Sequence, residues 1–130
     1  MKATLLPLLA VMVSTPEAVA QVPTPREAVT VELSSFDFAP STLELVRGRA
    51  YELVLVNKSG SDHDFTAPEF FSSALIAAAN TGSIVRGKVT IVGKDETRID
   101  FVPLRAGIFQ FHCSHLLHAS LGMRGTIRVS

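Results

Sequence analysis

Cysteine is nearly absent from this chain: Cys113 is the only one in 130 residues. A lone cysteine cannot build a disulfide framework, so the fold must stand on its core rather than on covalent staples. Charge of one sign is also missing. Twelve Lys and Arg balance twelve Asp and Glu, and this excludes bulk attraction to nucleic acid or an anionic membrane surface. No apolar run approaches the roughly 20 residues needed to cross a bilayer. There is no internal repeat, no low-complexity stretch, no glycine-rich phosphate loop, no Ser-His-Asp arrangement and no paired-cysteine zinc motif.

The N-terminus fits a removable leader. Lys2 precedes the apolar stretch Leu5 to Val13, and Ala18-Val-Ala20 has the small-x-small form of a cleavage site. We therefore expect residues 1–20 to be a signal peptide and the mature chain to start at Gln21. No cysteine sits beside Ala20 to carry a lipid, so no membrane anchor is expected. The expected location is a bacterial periplasm, or the outside of the cell otherwise. In an oxidising space an unpaired thiol needs burial, an intermolecular partner or a metal. The remaining length suits one domain with one core.

After a proline-rich lead-in over 21–27, the pattern is β. Val29, Val31 and Leu33 alternate with polar residues. So do Leu43 and Leu45, and then Tyr51, Leu53 and Leu55. Phe36 and Phe38 fall on the opposite parity, which suggests a register change near Ser34-Ser35. Lys58-Ser-Gly-Ser61 is a turn signal. Thr66-Ala-Pro-Glu69 reads as a helix start with Thr66 as cap, and the apolar stretch to Ala79 as its helix. Strand patterns resume from Ile84 to the end. Seven or eight strands with regular turn signals predict an all-β, Greek-key antiparallel sandwich carrying one short inserted helix, with residues 28–130 as the domain.

The chemistry is concentrated near the C-terminus, in Phe109-Gln-Phe-His-Cys-Ser-His-Leu-Leu-His-Ala-Ser-Leu-Gly-Met123. Cys113, His118 and Met123 stand five residues apart in turn, a spacing that lets a loop wrap three side chains around one point. A thiolate, an imidazole and a thioether form a soft donor set that favours copper over magnesium or calcium. A trigonal copper site with two His, one Cys and a weak axial Met needs one more imidazole. His63 is the one histidine outside this stretch. In a sandwich, loops gather at the ends, so His63 and Cys113 can meet there.

These stretches resemble the cupredoxins, small exported type 1 (blue) copper proteins. Phe38-Ala-Pro-Ser-Thr-Leu-Glu-Leu45, running on to Gly48, is similar to the family's opening strands. Leu53-Val-Leu-Val-Asn57 leads to its first histidine. Ala106-Gly-Ile-Phe-Gln-Phe-His-Cys113 is similar to its Gly-x-aromatic-x-Phe-x-Cys strand. Cys113, His118 and Met123 match its Cys-x4-His-x4-Met loop, and Gly125-Thr-Ile-Arg-Val129 its closing strand. The resemblance implies one type 1 copper per chain, with His63, Cys113 and His118 as equatorial ligands and Met123 as the axial one. It implies a single-electron carrier, not an enzyme, with a redox partner docking near His118. Copper handling or tolerance, with a copper donor or acceptor as partner, is the alternative, and a part in a copper enzyme a third. A monomer is expected.

The chain departs from the family pattern at Asp64, where many members have Asn; the change bears on the hydrogen bonds that tie the ligand loops together. Ser114 is ordinary for the family. His112 and His115 are additional histidines, expected either to collect a second copper or to be merely solvated.

Overall fold

The computed structural model describes residues 2–7, 9–15, 21–115 and 123–130. Among them are ten strands: β1 (Glu27–Ser34), β2 (Asp37–Ala39), β3 (Thr42–Leu45), β4 (Tyr51–Asn57), β5 (His63–Thr66), β6 (Ala74–Ile76), β7 (Lys88–Ile91), β8 (Glu96–Pro103), β9 (Gly107–His112) and β10 (Arg124–Val129). They form two five-stranded sheets, ordered β2-β1-β4-β8-β6 and β3-β10-β9-β5-β7. This is the expected β-sandwich. Each sheet also contains one parallel pair, β1 with β4 and β3 with β10. A parallel neighbour needs a crossover of a dozen or more residues. Between β1 and β4 that crossover is supplied not by a helix but by β2 and by β3 of the opposite sheet.

The parity change at Ser34-Ser35 is a hairpin. Phe36 takes φ 68 in the turn, and β2 folds back antiparallel on β1, with Leu33 opposite Phe38. Phe38 is thereby turned into the core.

The expected helix from Pro68 to Ala79 is corrected. Only Pro68–Ser72 is helical (α1). Ala74–Ile76 then pairs along β8, and Ala78–Ser83 forms a 3-10 turn. A short apolar run does not distinguish helix from strand by its period. Here the backbone edge of β8 offers hydrogen bonds that a longer helix would leave unpaired. The Ser73 hydroxyl and N–H both bond back to Phe70 O, closing the helix early. Nor does Thr66 cap the helix. The cap position is Ala67, and the Thr66 hydroxyl donates to Asp64 instead.

The core beneath the β9–β5 edge is aromatic. Phe65 stacks on Phe111 with centroids 4.5 Å apart, and Phe38 meets Phe111 edge-on at 5.0 Å. Such pairs add about 0.5–1.5 kcal/mol beyond their buried area. Gly125 permits this packing: a Cβ there would strike the Phe111 ring and the Ser41 carbonyl. Cys113 and Met123 lie in the same buried cluster. In the expected lead-in, Val22 is buried and Arg26 reaches Asp100 at 3.5 Å. No described helix is long and apolar enough to cross a membrane.

Candidate metal centre

β5 and β9 run antiparallel, with Thr66 opposite His112. Continuing that register past the end of β9 sets Asp64 against Ser114 and His63 against His115. Strand alternation turns Phe65 and His63 to one face and Thr66 and Asp64 to the other. Both consequences are seen. The Ser114 N–H donates to Asp64 Oδ1 at 2.9 Å and its hydroxyl to Asp64 Oδ2 at 2.7 Å. The His63 and His115 rings stack at 6.0 Å.

Cys113 and His63 therefore face each other across the strand pair, with Sγ and Nδ1 3.9 Å apart. An ion with nitrogen at about 2.0 Å and sulfur at about 2.3 Å, first-row values taken from zinc, sets those atoms about 3.5–4.3 Å apart. The pair fits that test. Its surroundings are dry, with Cys113 and Met123 fully buried and His63 1% exposed. The Cys113 N–H donates to Met123 O at 3.1 Å, so the backbone itself closes the loop between the two sulfur residues. His118 lies outside the described residues.

His63, Cys113 and His115 each offer a donor atom, and all three atoms lie within 4.8 Å of one another. His115 Nε2 is also 3.7 Å from Asp64 Oδ2. Sequence reasoning had no means of bringing His115 to His63, because their neighbourhood depends on strand register. His112 is placed differently. It shares the outward parity of Ile108 and Gln110 and stands opposite Arg124 on β10.

Asp64 is 1% exposed. Burial alone would raise its carboxyl. The hydrogen bonds from Thr66 and from the Ser114 backbone and hydroxyl, with the charge of Lys88, outweigh that and hold it below the usual carboxylate value. Burial pushes the Cys113 thiol up, and the Asp64 charge adds to the effect. A metal must therefore displace the thiol proton on binding.

Upstream, Asn57 shapes the approach to His63. Its Nδ2 donates to Ser61 O at 2.8 Å and Ile91 O at 2.9 Å, and its Oδ1 accepts from the Ser59 N–H and hydroxyl. In sequence Asn57 is marked as the end of the strand stretch that leads to His63, with no role of its own. Its signal was an Asn directly before a Ser- and Gly-containing turn, where Asn side chains commonly bond the backbone two residues on.

The family description of a cupredoxin-like domain matches residues 3–129. Among solved structures, auracyanin B is similar at 19% identity, with 83% of this chain and 91% of that one covered and a TM-score of 0.62. Dithionite-reduced auracyanin from the photosynthetic bacterium Roseiflexus castenholzii is similar at 13% identity, covering 79% and 96%, with a TM-score of 0.60. A Campylobacter jejuni multicopper oxidase described as a metallo-oxidase is similar at 17% identity and TM-score 0.62, over 87% of this chain but 32% of its own. No curated protein matches the sequence significantly. The soft, buried donor set fits one type 1 copper per chain.

Proposed function

The chain belongs to the cupredoxin-like family, and from that premise we propose that it is an exported single-electron carrier whose copper is held by His63, Cys113, His118 and Met123. The carrying observation is the 3.9 Å approach of Cys113 Sγ to His63 Nδ1 in a water-excluded end of the sandwich. Copper bound there would supply one-electron chemistry, Cu(I) to Cu(II). The chain's part is to keep its donors still. His63 is set on a strand paired on both sides, by β7 and by β9. Cys113 follows directly on β9, and the Ser114–Asp64 bonds fix the segment beyond it. Donors held this way need little rearrangement when the electron arrives or leaves. Burial excludes water from the sulfur.

Export is supported by residues 2–7 and 9–15, where Leu5, Leu6, Leu9, Val11, Met12 and Val13 are left exposed, as befits a leader rather than part of the core. A carrier rather than an enzyme is supported by the histidine supply: four in all, two of them assigned to this copper. The partner docks beside His118, whose neighbours in sequence, Leu116, Leu117, Ala119 and Leu121, are apolar.

A second reading, copper handling, is favoured by one observation: an additional imidazole, His115, stands beside the buried donors.

A Cu(II) titration of the purified chain, read by visible absorption, spin resonance and metal content, tests the first reading. One copper with an intense thiolate charge-transfer band, lost in Cys113→Ser, is expected. No such band at any ratio would overturn it.

A further inference from the structure

Two of the three donors in the described cluster are sealed, and one is not. His63 is 1% and Cys113 0% exposed, whereas the His115 side chain is 40% exposed. The His115 ring lies nearly parallel to that of His63, at an interplanar angle of 25°. One ion bound to two imidazoles holds their nitrogens no more than about 4.1 Å apart, at about 2.0 Å each. The cluster's outer bound of 4.8 Å is only slightly wider than this. His115 thus stands at the rim, a small side-chain movement from completing a three-donor set. Its place is not accidental to the fold. The β5–β9 pairing of Thr66 with His112, continued past the end of β9, brings it beside His63, and the buried Asp64 carboxylate lies 3.7 Å from its Nε2. Of the three described donors, His115 is the one that water reaches.

Resting on the copper reading above, we propose that His115 is an auxiliary copper donor, able to complete a His63–Cys113–His115 set without His118 and to receive the ion on its way in or out. Two imidazoles and a thiolate accept copper in either oxidation state, and the choice of copper over zinc rests on the copper reading above. Binding through His115 needs its neutral ring and releases the proton of Cys113 to solvent; no other bond is made or broken. The Asp64 carboxylate stands beside the ring throughout, 3.7 Å from its Nε2.

The test compares the purified full chain with His118→Ala, His115→Ala and the double variant, in buffer free of imidazole and amines. Cu(I) affinity is measured by competition with a chromophoric chelator, Cu(II) loading by the thiolate band and spin resonance. His118→Ala is expected to keep one copper and a thiolate band of altered position. Adding His115→Ala should then weaken binding by about a hundredfold, at or beyond the upper end of what outer-shell changes cost, and abolish the band. His115→Ala alone should keep the wild-type band but take up and release copper about tenfold more slowly. His115 is exposed, so its replacement leaves the core intact. If His118→Ala already loses copper, or if the double variant binds like His118→Ala, the auxiliary role is overturned while the copper reading stands. If the wild-type chain itself shows no thiolate band, both fall together.

Discussion

Two buried polar side chains bracket the segment that carries His63, and they do different work. Asn57, at its start, is neutral and spends its bonds on backbone groups and a hydroxyl: Ser59, Ser61 and Ile91. It shapes one loop and pins it to β7. Asp64, one residue past His63, is charged and bonds across the strand pair to Ser114, the residue after Cys113. It ties the two donor segments to each other. A neutral amide can satisfy a loop from within. Only a group that reaches the other strand can hold the separation between His63 and Cys113. Stability and site geometry should therefore respond differently to the two.

The largest effect on stability is expected at Asn57. Asn57→Ala removes four hydrogen bonds and leaves the Ile91 carbonyl, inside the fold, without this donor. Unsatisfied buried groups cost about 1–3 kcal/mol each, so a loss of about 3 kcal/mol is expected in chemical denaturation of the metal-free chain. The copper-loaded thiolate band should keep its position, because the hydrogen bonds of Asn57 go to Ser59, Ser61 and Ile91. A shifted band with unchanged stability would reverse the assignment of roles.

Asp64→Ala should do less to the fold and more to the site. A loss of about 2 kcal/mol is expected. Copper affinity should fall about 10–100-fold, as for other groups that orient metal ligands, and the band should move. The carboxyl also carries a pH signature in the metal-free chain. Its folded pKa lies below the usual value, so its contribution is fully present above the unfolded carboxylate pKa of about 3.9 and is lost as pH falls through the lower folded value. The stability gap between wild type and Asp64→Asn should narrow as the pH drops below about 4. A gap that is constant with pH would mean that the carboxyl is not held ionised by its partners.

The contrast also explains what could be read from sequence. β1 and β3 were legible because their apolar residues alternate and one face of each is buried, and β4 because its alternation runs through a strand buried on nearly both faces. The Cys113–Met123 stretch stood out because its Cys, His and Met are written close together in the sequence, and the structure closes it with the Cys113 N–H on Met123 O. The bearing of Asp64 on the tie between ligand loops could be anticipated, since it stands beside a donor. What was not legible depends on pairing. The stretch around Ala74–Ile76 is apolar enough for a helix and becomes a strand only because β8 has an edge to offer. The parallel partners of β1 and β3 lie far along the chain. The closeness of His115 to His63 follows from where β5 pairs with β9, which places the segment just after β9, and local patterning carries no information about that.

The smallest change sharpens the comparison most, because it divides the Asp64 tie in two. Ser114 gives Asp64 one bond from its backbone N–H and one from its hydroxyl. Ser114→Ala deletes only the second and keeps the backbone bond that sets the strand register. Asp64 Oδ2 then loses its 2.7 Å donor but keeps the nearby His115. Hydrogen bonds to charged groups contribute about 1.5–3 kcal/mol when buried. Ser114 is exposed, so water can replace the lost donor, and about 1 kcal/mol is the expected loss in denaturation. The thiolate band should stay closer to that of wild type than the band of Asp64→Ala does. If the two variants give the same band, the hydroxyl alone carries the tie and the backbone bond is incidental. If Ser114→Ala leaves the band untouched, the Ser114 N–H on Asp64 is what holds Cys113 against His63.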